Sequence, residues 1–219
     1  MPRTSARAVL FDLDGTLADT APDLARAINR VRAANHLAPM PLEITRPYTS
    51  SGARGLLKVG FGLNPGDDRY EALKLQFLDF YATEICVDTR LFDGMAELLD
   101  RLDQDRLPWG VVTNKAERFT LPLLQGLHLA RRAACIVGGD TAARTKPHPE
   151  PLLHAAAALQ LPPSACLYVG DALRDVQSAH AAGMRVLAAK YGYLGDGGPI
   201  ESWQADAIID HPREVLDYL

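Results

Sequence analysis

The stretch AVLFDLDGT, residues 8–16, decides the fold because a short apolar run leads directly into two aspartates and a glycine. Ala8 to Phe11 has the length and continuous apolarity of a strand that is buried on both faces. Asp12 and Asp14 are two residues apart, so on an extended backbone their carboxylates point to the same side. Two like charges held close together need a neutralising partner. The stretch therefore predicts a buried strand that ends at a charged site.

Five further apolar runs continue this pattern along the chain, with turn residues and stretches of helical spacing between them. They are WGVVT at 109–113, ACIVG at 134–138, CLYVG at 166–170, RVLAAK at 185–190 and ADAIID at 205–210. Strands that alternate with helices form a parallel sheet that is covered on both faces. The sequence therefore predicts an α/β fold with a doubly wound, Rossmann-like parallel sheet.

Residues 18–90 interrupt this alternation, because they show helical spacing and no convincing buried strand. The clearest helical pattern starts at Tyr70 and places Leu73, Phe77 and Tyr81 on one face. Structureless loops longer than about 15 residues are uncommon in compact domains. We therefore expect residues 18–90 to be an inserted helical cap domain, and residues 1–17 with 91–219 to form the α/β core domain.

Composition and charge limit the possible partners. The 219 residues include 27 acidic and 23 basic side chains, a formal net charge of −4, which argues against non-specific binding to nucleic acid or membranes. No apolar run approaches the roughly 18 residues that span a bilayer, and no signal-peptide pattern precedes the first strand. Three widely separated cysteines indicate neither a disulfide framework nor a thiolate metal site. We expect a cytoplasmic monomer or homodimer that acts on a small molecule.

Polar residues follow the predicted strands at their carboxyl ends, where doubly wound sheets bind ligands. Thr113 and Asn114 end the second run, Asp171 follows the fourth run and Asp175 lies four residues further on, while Lys146 lies after the third run. Mg²⁺ prefers oxygen ligands and commonly takes one or two carboxylates together with substrate phosphate. The acids therefore predict a magnesium site with Lys146 as a counter-charge.

Structural explanations compete at several of these positions. Asp175 has the position of a helix cap, and Asn114 followed by Glu117 has the spacing of a capping box. Thr20 and Asp23 have the same spacing at the start of the predicted cap. Lys146, taken alone, has the character of a surface lysine. These explanations stay open beside the metal site.

Four motifs occur in the order typical of the haloacid dehalogenase superfamily of phosphohydrolases, which the whole chain resembles. They are FDLDGT at 11–16, VVTNK at 111–115, the lysine of TKPHPEP at 145–151 and VGDALRD at 169–175. The resemblance implies that Asp12 is a nucleophile that forms an aspartyl-phosphate, and that Asp14 is the general acid and then the general base. A carboxyl at position 14 favours phosphate transfer, because the dehalogenases release a halide without a proton.

The same resemblance implies roles for the remaining motif residues. Thr113 and the backbone of Asn114 would hold the phosphoryl oxygens, and Lys146 would neutralise the phosphate. The implied cofactor is Mg²⁺. The implied metal ligands are Asp12, the backbone carbonyl of Asp14, Asp171 and, directly or through water, Asp175.

Substrate choice is expected to come from the cap. Within the superfamily, the chain resembles the phosphoglycolate phosphatase group and most of all the N-acetylmuramic acid 6-phosphate phosphatases of peptidoglycan recycling. Both substrates carry a carboxylate, and YTSSGARGLL at 48–57 offers Ser51, Gly52 and Arg54 for binding, with Arg54 suited to a bidentate contact. In the alternative explanation, Ser50 or Ser51 caps a helix and Arg54 is a solvated surface residue. We expect N-acetylmuramic acid 6-phosphate as the substrate, with 2-phosphoglycolate as the alternative.

A signalling receiver phosphorylated on an aspartate is the alternative from another class. Receivers also gather acids, a hydroxyl and a lysine around Mg²⁺. A receiver needs only one compact domain of flavodoxin-like topology, so the inserted residues 18–90 argue against it.

Overall fold

Residues 6–219 are described by the computed structural model, and eight strands lie within them. The strands are β1 Ala8–Phe11, β2 Ala18–Asp19, β3 Arg90–Leu91, β4 Trp109–Val112, β5 Cys135–Val137, β6 Cys166–Gly170, β7 Arg185–Ala189 and β8 Ala207–Ile209. Six of them form one parallel sheet in the order β5-β4-β1-β6-β7-β8. The predicted α/β fold is confirmed, and each of the six strands begins and ends within two residues of its predicted run.

Eight α-helices lie in the same part of the chain. They are α1 Ala21–Ala34, α2 Leu42–Thr45, α3 Gly52–Phe61, α4 Tyr70–Thr83, α5 Met95–Gln104, α6 Glu117–Gly126, α7 Glu150–Ala158 and α8 Leu173–Ala182. Short 3₁₀ helices cover Arg46–Ser51, Pro163–Ala165, Ile200–Trp203 and Pro212–Tyr218. None of these helices has both the length and the apolar character that crossing a bilayer would require.

The central strand β1 is buried on both faces, which explains its continuous apolarity. Val9 and Phe11 belong to the hydrophobic cluster that includes α5 and α6, whereas Ala8 and Leu10 belong to a second cluster that includes α7 and α8. Side chains that alternate along a strand reach opposite faces of the sheet. The parallel direction then brings the carboxyl ends of β4, β1 and β6 side by side at one edge.

Helices α1 to α4 lie between β2 and β3 and have a hydrophobic cluster of their own, the third cluster, built around Ile28, Leu56, Phe77 and Tyr81. We call residues 21–83 the helical segment. Two short strands lie at the ends of residues 18–90, β2 and β3, which pair antiparallel and are not fully buried. Strands of two residues carry no periodicity that a sequence pattern could indicate. The division into a core domain and a cap domain at residues 18 and 90 stays a prediction.

Asp23 joins the start of α1 to the chain that leads into β3. Its carboxylate accepts hydrogen bonds from the backbone N–H groups of Val87, Asp88 and Thr89, from the Thr89 hydroxyl and from Arg26. Burial raises the pKa of Asp23, but the bonds from Thr89, Asp88 and Arg26 outweigh burial and lower it below its ordinary value. The capping-box interpretation is wrong here, because this carboxylate binds another part of the chain.

Candidate active site

The end of β1 fixes the Asp12 carboxylate. The Asp12 N–H donates to the Val169 carbonyl at 2.9 Å, which continues the pairing of β1 with β6. Its Oδ1 accepts from the Leu13 N–H at 2.7 Å and lies 3.0 Å from the Lys146 ammonium. Within residues 6–219, no hydrogen bond is made to Oδ2. One oxygen of a buried carboxylate is therefore held while the other is left for a reaction partner.

Three of the predicted metal ligands come together. Asp12, Asp171 and Asp175 are buried, and each offers a carboxylate oxygen within 4.8 Å of the others. Burial, followed by the charges of Asp12 and Asp175, raises the pKa of Asp171 to about 7. A buried set of oxygen donors that repel one another fits a hard divalent cation such as Mg²⁺. The carboxylate of Asp14 is not in this group, and its predicted backbone carbonyl ligand stays a prediction.

Asp171 is held by three further contacts that the sequence did not predict. The Thr16 hydroxyl donates to Oδ1 at 3.2 Å, while the Tyr193 N–H donates to Oδ2 at 2.8 Å. Ser50, from the 3₁₀ turn before α3, donates to the same Oδ2 at 3.2 Å. Gly15 adopts a φ of +87°, and a Cβ there would lie 2.2 Å from Oδ2. The absence of a side chain at Gly15 therefore allows the turn after β1 to pack directly against the Asp171 carboxylate.

Lys146 is buried in the site, so its interpretation as a surface lysine is wrong. Its ammonium lies 2.7 Å from Asp175 Oδ1 and donates to the Val112 carbonyl at 2.9 Å and the Tyr168 hydroxyl at 2.7 Å. Together with Asp12, these are four acceptors for the three N–H donors of an ammonium group, so no donor is left unpaired. Asp175 also accepts from the Ala172 N–H at 3.0 Å, at the start of α8. Capping and membership of the acid group are thus both present at Asp175.

Asn114 holds the backbone of Lys146. Its side-chain amide donates to the Lys146 carbonyl at 2.9 Å and accepts from the Lys146 N–H at 3.0 Å. The capping-box interpretation of Asn114 and Glu117 is wrong, because Ala116 is the residue at the cap position of α6. The amide is therefore occupied, and the predicted phosphoryl contact of Asn114 rests on its backbone.

Asp14 is paired with a lysine that the sequence analysis did not select, although it lies in the VVTNK motif. Asp14 Oδ1 accepts from the Lys115 ammonium at 2.7 Å and from the Thr20 hydroxyl at 2.5 Å. Burial lowers the pKa of Lys115, but the charge of Asp14, its hydrogen bond and the interactions with Tyr81 together outweigh burial and raise the pKa above its ordinary value. The ammonium also lies 4.8 Å from the centre of the Tyr81 ring. Thr20 serves this contact and makes no side-chain cap bond.

A cavity of about 760 Å³ brings the predicted residues of both parts of the chain together. It is lined by Asp12, Asp14, Thr113 and Asn114 from the strand ends, by Lys146 from the loop after β5, and by Ser51, Gly52 and Arg54 from the helical segment. Asp171 and Asp175 are fully buried and do not line it.

On the helical side of the cavity, neither Ser50 nor Ser51 caps α3 as the alternative explanation predicted. Ser51 occupies the position before α3, but its side chain makes no cap bond, and Ser50 donates to Asp171 instead. Arg54 is exposed at the cavity. Thr113 is buried and accepts from the Lys115 N–H at 3.2 Å. The cavity is therefore bordered by the carboxylates of Asp12 and Asp14 at the strand ends and by the exposed guanidinium of Arg54 on the helical side.

Comparisons with known proteins agree with this geometry. Residues 9–189 match the family described as haloacid dehalogenase-like hydrolase. The chain is 44% identical to an N-acetylmuramic acid 6-phosphate phosphatase from Pseudomonas putida, covering 96% of each chain. It is also 44% identical to a phosphoglycolate phosphatase from Xanthomonas campestris pv. campestris, covering 96% of this chain and 95% of the relative.

A solved structure has the same fold along nearly its whole length. The crystal structure of a predicted phosphoglycolate phosphatase from Haemophilus somnus superposes with a TM-score of 0.85 at 29% identity, covering 97% of each chain. Family match, relatives and structural likeness all agree with the four motifs at the strand ends. The chain belongs to the haloacid dehalogenase-like hydrolase family, and it is a phosphoric monoester hydrolase.

Proposed function

We propose that the protein is a Mg²⁺-dependent phosphomonoesterase that acts through an aspartyl-phosphate on Asp12, with N-acetylmuramic acid 6-phosphate as its substrate. The observation that carries this proposal is the buried group Asp12, Asp171 and Asp175 beside the cavity, with Lys146 paired to two of its members. The Thr113 hydroxyl and the Asn114 backbone would hold the phosphoryl oxygens, and the charge of Lys146 would neutralise the phosphate and Asp12.

The proposed reaction uses Asp12 and Asp14 in different roles. The Asp12 carboxylate attacks phosphorus, the bond from phosphorus to the alcohol oxygen breaks, and Asp14 gives that oxygen its proton. A water molecule then attacks the aspartyl-phosphate and gives a proton to Asp14, which releases inorganic phosphate and restores both carboxyl groups. Lys115 and Thr20 hold Asp14 in place. Mg²⁺ bound by Asp12, the Asp14 carbonyl, Asp171 and Asp175 would supply charge stabilisation for the phosphoryl group.

Replacing Asp12 tests the mechanism. Asp12→Asn keeps the shape of the side chain and removes the nucleophilic charge, so we expect phosphate release from an aryl phosphate with Mg²⁺ to vanish while the melting temperature stays close to that of the wild type. Near-normal turnover in this variant would remove Asp12 from the nucleophile role. Absence of phosphate release from the wild type, with or without metal, would contradict the phosphomonoesterase proposal.

The cavity supports the larger of the two substrates. Its volume of about 760 Å³ lies in the upper part of the range of small-molecule sites, and a sugar needs more room than glycolate. Arg54, at the first turn of α3, offers a guanidinium that matches a carboxylate. Because relatives with both names are 44% identical to this chain, identity does not choose between the substrates, and 2-phosphoglycolate is the second candidate.

A substrate panel decides between the candidates. We expect kcat/KM to be highest for N-acetylmuramic acid 6-phosphate among that ester, 2-phosphoglycolate, hexose phosphates and nucleoside monophosphates. A preference for phosphoglycolate of tenfold or more, about 1.4 kcal/mol in transition-state binding, would reverse the order. Arg54→Gln should lower kcat/KM for N-acetylmuramic acid 6-phosphate and leave that for N-acetylglucosamine 6-phosphate, which lacks the lactyl carboxylate, nearly unchanged. Equal losses on both sugars would contradict carboxylate recognition by Arg54.

A receiver module remains the less supported function. The phosphatase relatives and the cavity between helical segment and sheet both favour turnover of a small molecule. The cytoplasmic location and the monomeric or homodimeric state stay predictions. The three cysteines, all free thiols, are in keeping with a reducing compartment.

A further inference from the structure

Arg174, the second residue of α8, has a partly exposed guanidinium that makes no hydrogen bond within residues 6–219. Its side chain is 23% exposed, and its Nε is fully buried without a partner. A guanidinium offers five N–H donors, and buried polar groups are normally hydrogen-bonded. Arg174 also lines the cavity. The buried Nε–H therefore has no acceptor within residues 6–219, and the side chain borders the cavity in which a substrate would bind.

The nearest anionic atom to Arg174 is the free oxygen of Asp12. Its NH2 nitrogen lies 3.9 Å from Asp12 Oδ2, whereas hydrogen-bonded pairs of this kind have distances of about 2.7–2.9 Å. The other oxygen, Oδ1, is held by Leu13 and Lys146. Arg174 thus faces the oxygen of Asp12 that is left for a reaction partner, at a distance that a hydrogen-bonded ion pair does not have.

The two lysines of the site are already paired with carboxylates, so Arg174 is a cation left to bind a phosphoryl group. Lys146 is paired with Asp12 and Asp175, and Lys115 is paired with Asp14. A phosphoryl group brings further negative charge beside three buried carboxylates, and arginine suits it because its planar donors match phosphate oxygens. Fixed donors directed at a developing charge are the usual source of electrostatic catalysis.

We propose that Arg174 is a further catalytic residue, which donates hydrogen bonds to a non-bridging oxygen of the transferring phosphoryl group. The inference rests on the proposed transfer to Asp12. It assigns a role to the arginine of VGDALRD, which lies between the two acids of that motif. Inorganic phosphate, the product, should bind the same donors.

The test measures competitive inhibition by inorganic phosphate at saturating Mg²⁺, with an aryl phosphate as the substrate. We expect Arg174→Gln to raise the inhibition constant tenfold or more and to lower kcat/KM by a larger factor, with Arg174→Lys recovering part of both losses. Added guanidinium should partly restore turnover to Arg174→Ala. Arg118→Gln is the matched control, since Arg118 lines the same cavity but stacks over the Phe119 ring at 4.6 Å. Its inhibition constant should stay within twofold of the wild type.

A different result overturns the proposal. If Arg174→Gln is folded and binds inorganic phosphate within twofold of the wild type while binding Mg²⁺ more tightly, Arg174 only offsets the charge of the acids. If Arg174→Gln does not fold, the same comparison is made with Arg174→Lys, for which unchanged phosphate inhibition and unchanged kcat/KM overturn the proposal. Failure of the nucleophile proposal is seen separately, as turnover by Asp12→Asn, because phosphate inhibition does not depend on which atom attacks.

Discussion

The backbone conformation of Gly15 directly affects the acid group. Its φ of +87° is one that L side chains rarely adopt, and a Cβ would meet Asp171 Oδ2 at 2.2 Å. Two separate effects follow from adding a methyl group: backbone strain and displacement of the carboxylate. Only the second should change the chemistry of the site.

We therefore expect Gly15→Ala to lower kcat/KM at least 100-fold and to weaken Mg²⁺ binding. Gly62→Ala is the matched control, because Gly62 has a similar φ of +71° with nothing within 4 Å of the added Cβ. Both variants should lose about 1–2 kcal/mol of stability from the left-handed conformation. Steady-state kinetics and urea unfolding check the pair, and equal activities in the two variants would contradict the displacement of Asp171.

Asn114 acts on Lys146 through two hydrogen bonds to its backbone. Asn114→Ala should lower kcat/KM about tenfold, since the ammonium then loses its fixed position, and should cost about 1–3 kcal/mol of stability. Asn29 makes the same pair of bonds with the backbone of Met40, in the helical segment. Asn29→Ala should cost similar stability and keep most of the activity, whereas a similar loss of activity would show that Asn114 has no special effect on Lys146.

At the scale of elements, Asp23 holds the start of α1 against residues 87–89. Asp23→Asn should reduce the free energy of unfolding by about 2–4 kcal/mol at pH 7, because several charge-assisted bonds to one carboxylate are lost. Asp79→Asn, on the exposed face of α4, is the control and should change stability little.

The pH dependence of this loss has a definite sign. The pKa of Asp23 is lowered in the folded protein, so its stabilisation is present above the ordinary carboxyl pKa of about 3.9. It is lost as the pH falls through the lower, folded-state value. The difference between the wild type and Asp23→Asn in urea unfolding should therefore shrink below about pH 4. A difference that stays constant down to pH 3 would exclude the charge of Asp23 as its cause.

Prediction from sequence worked for the elements and less well for their contacts. Strands buried on both faces must be continuously apolar, so the six runs were visible, and Asp12, Thr113 and Asp171 were placed by the direction of parallel strands. The pairing of Ser50 with Asp171 depends on how the helical segment packs, which no local pattern records. Lys115 lay inside a recognised motif, but only its distance to Asp14 reveals its contact.

For the whole molecule, helix α6 joins the helical segment to the sheet. Phe119 belongs to the third cluster, and its ring centre lies 5.7 Å from that of Tyr81 in α4. Leu123, one turn later, belongs to the cluster that contains Val9 and Phe11 of β1. One helix thus contributes to two hydrophobic clusters through adjacent turns. The two parts of the chain should therefore respond differently to changes at these positions.

We expect Phe119→Ala to speed amide hydrogen exchange in α1 and α4 more than in β1 and β6, and Leu123→Ala to show the reverse order. Each change removes a buried side chain at a cost of about 2–5 kcal/mol, and local opening follows the cluster that is weakened. Exchange measured by mass spectrometry on the two variants checks this. The same pattern of exchange in both variants would contradict the view that the two hydrophobic clusters open independently.

The pairing of β2 with β3 has a consequence for how such a protein can evolve. Ala18 lies opposite Leu91 and Asp19 opposite Arg90, so this separate two-stranded sheet holds the chain before and after the helical segment at neighbouring points. Insertions are tolerated best where the two ends of the inserted chain lie close together. Changes of length within residues 21–83 leave β1 to deliver Asp12 and Asp14 to the same place, provided that Ser50 keeps its contact with Asp171. Selection for a new metabolite can thus act on the helical segment while the residues at the strand ends are inherited unchanged.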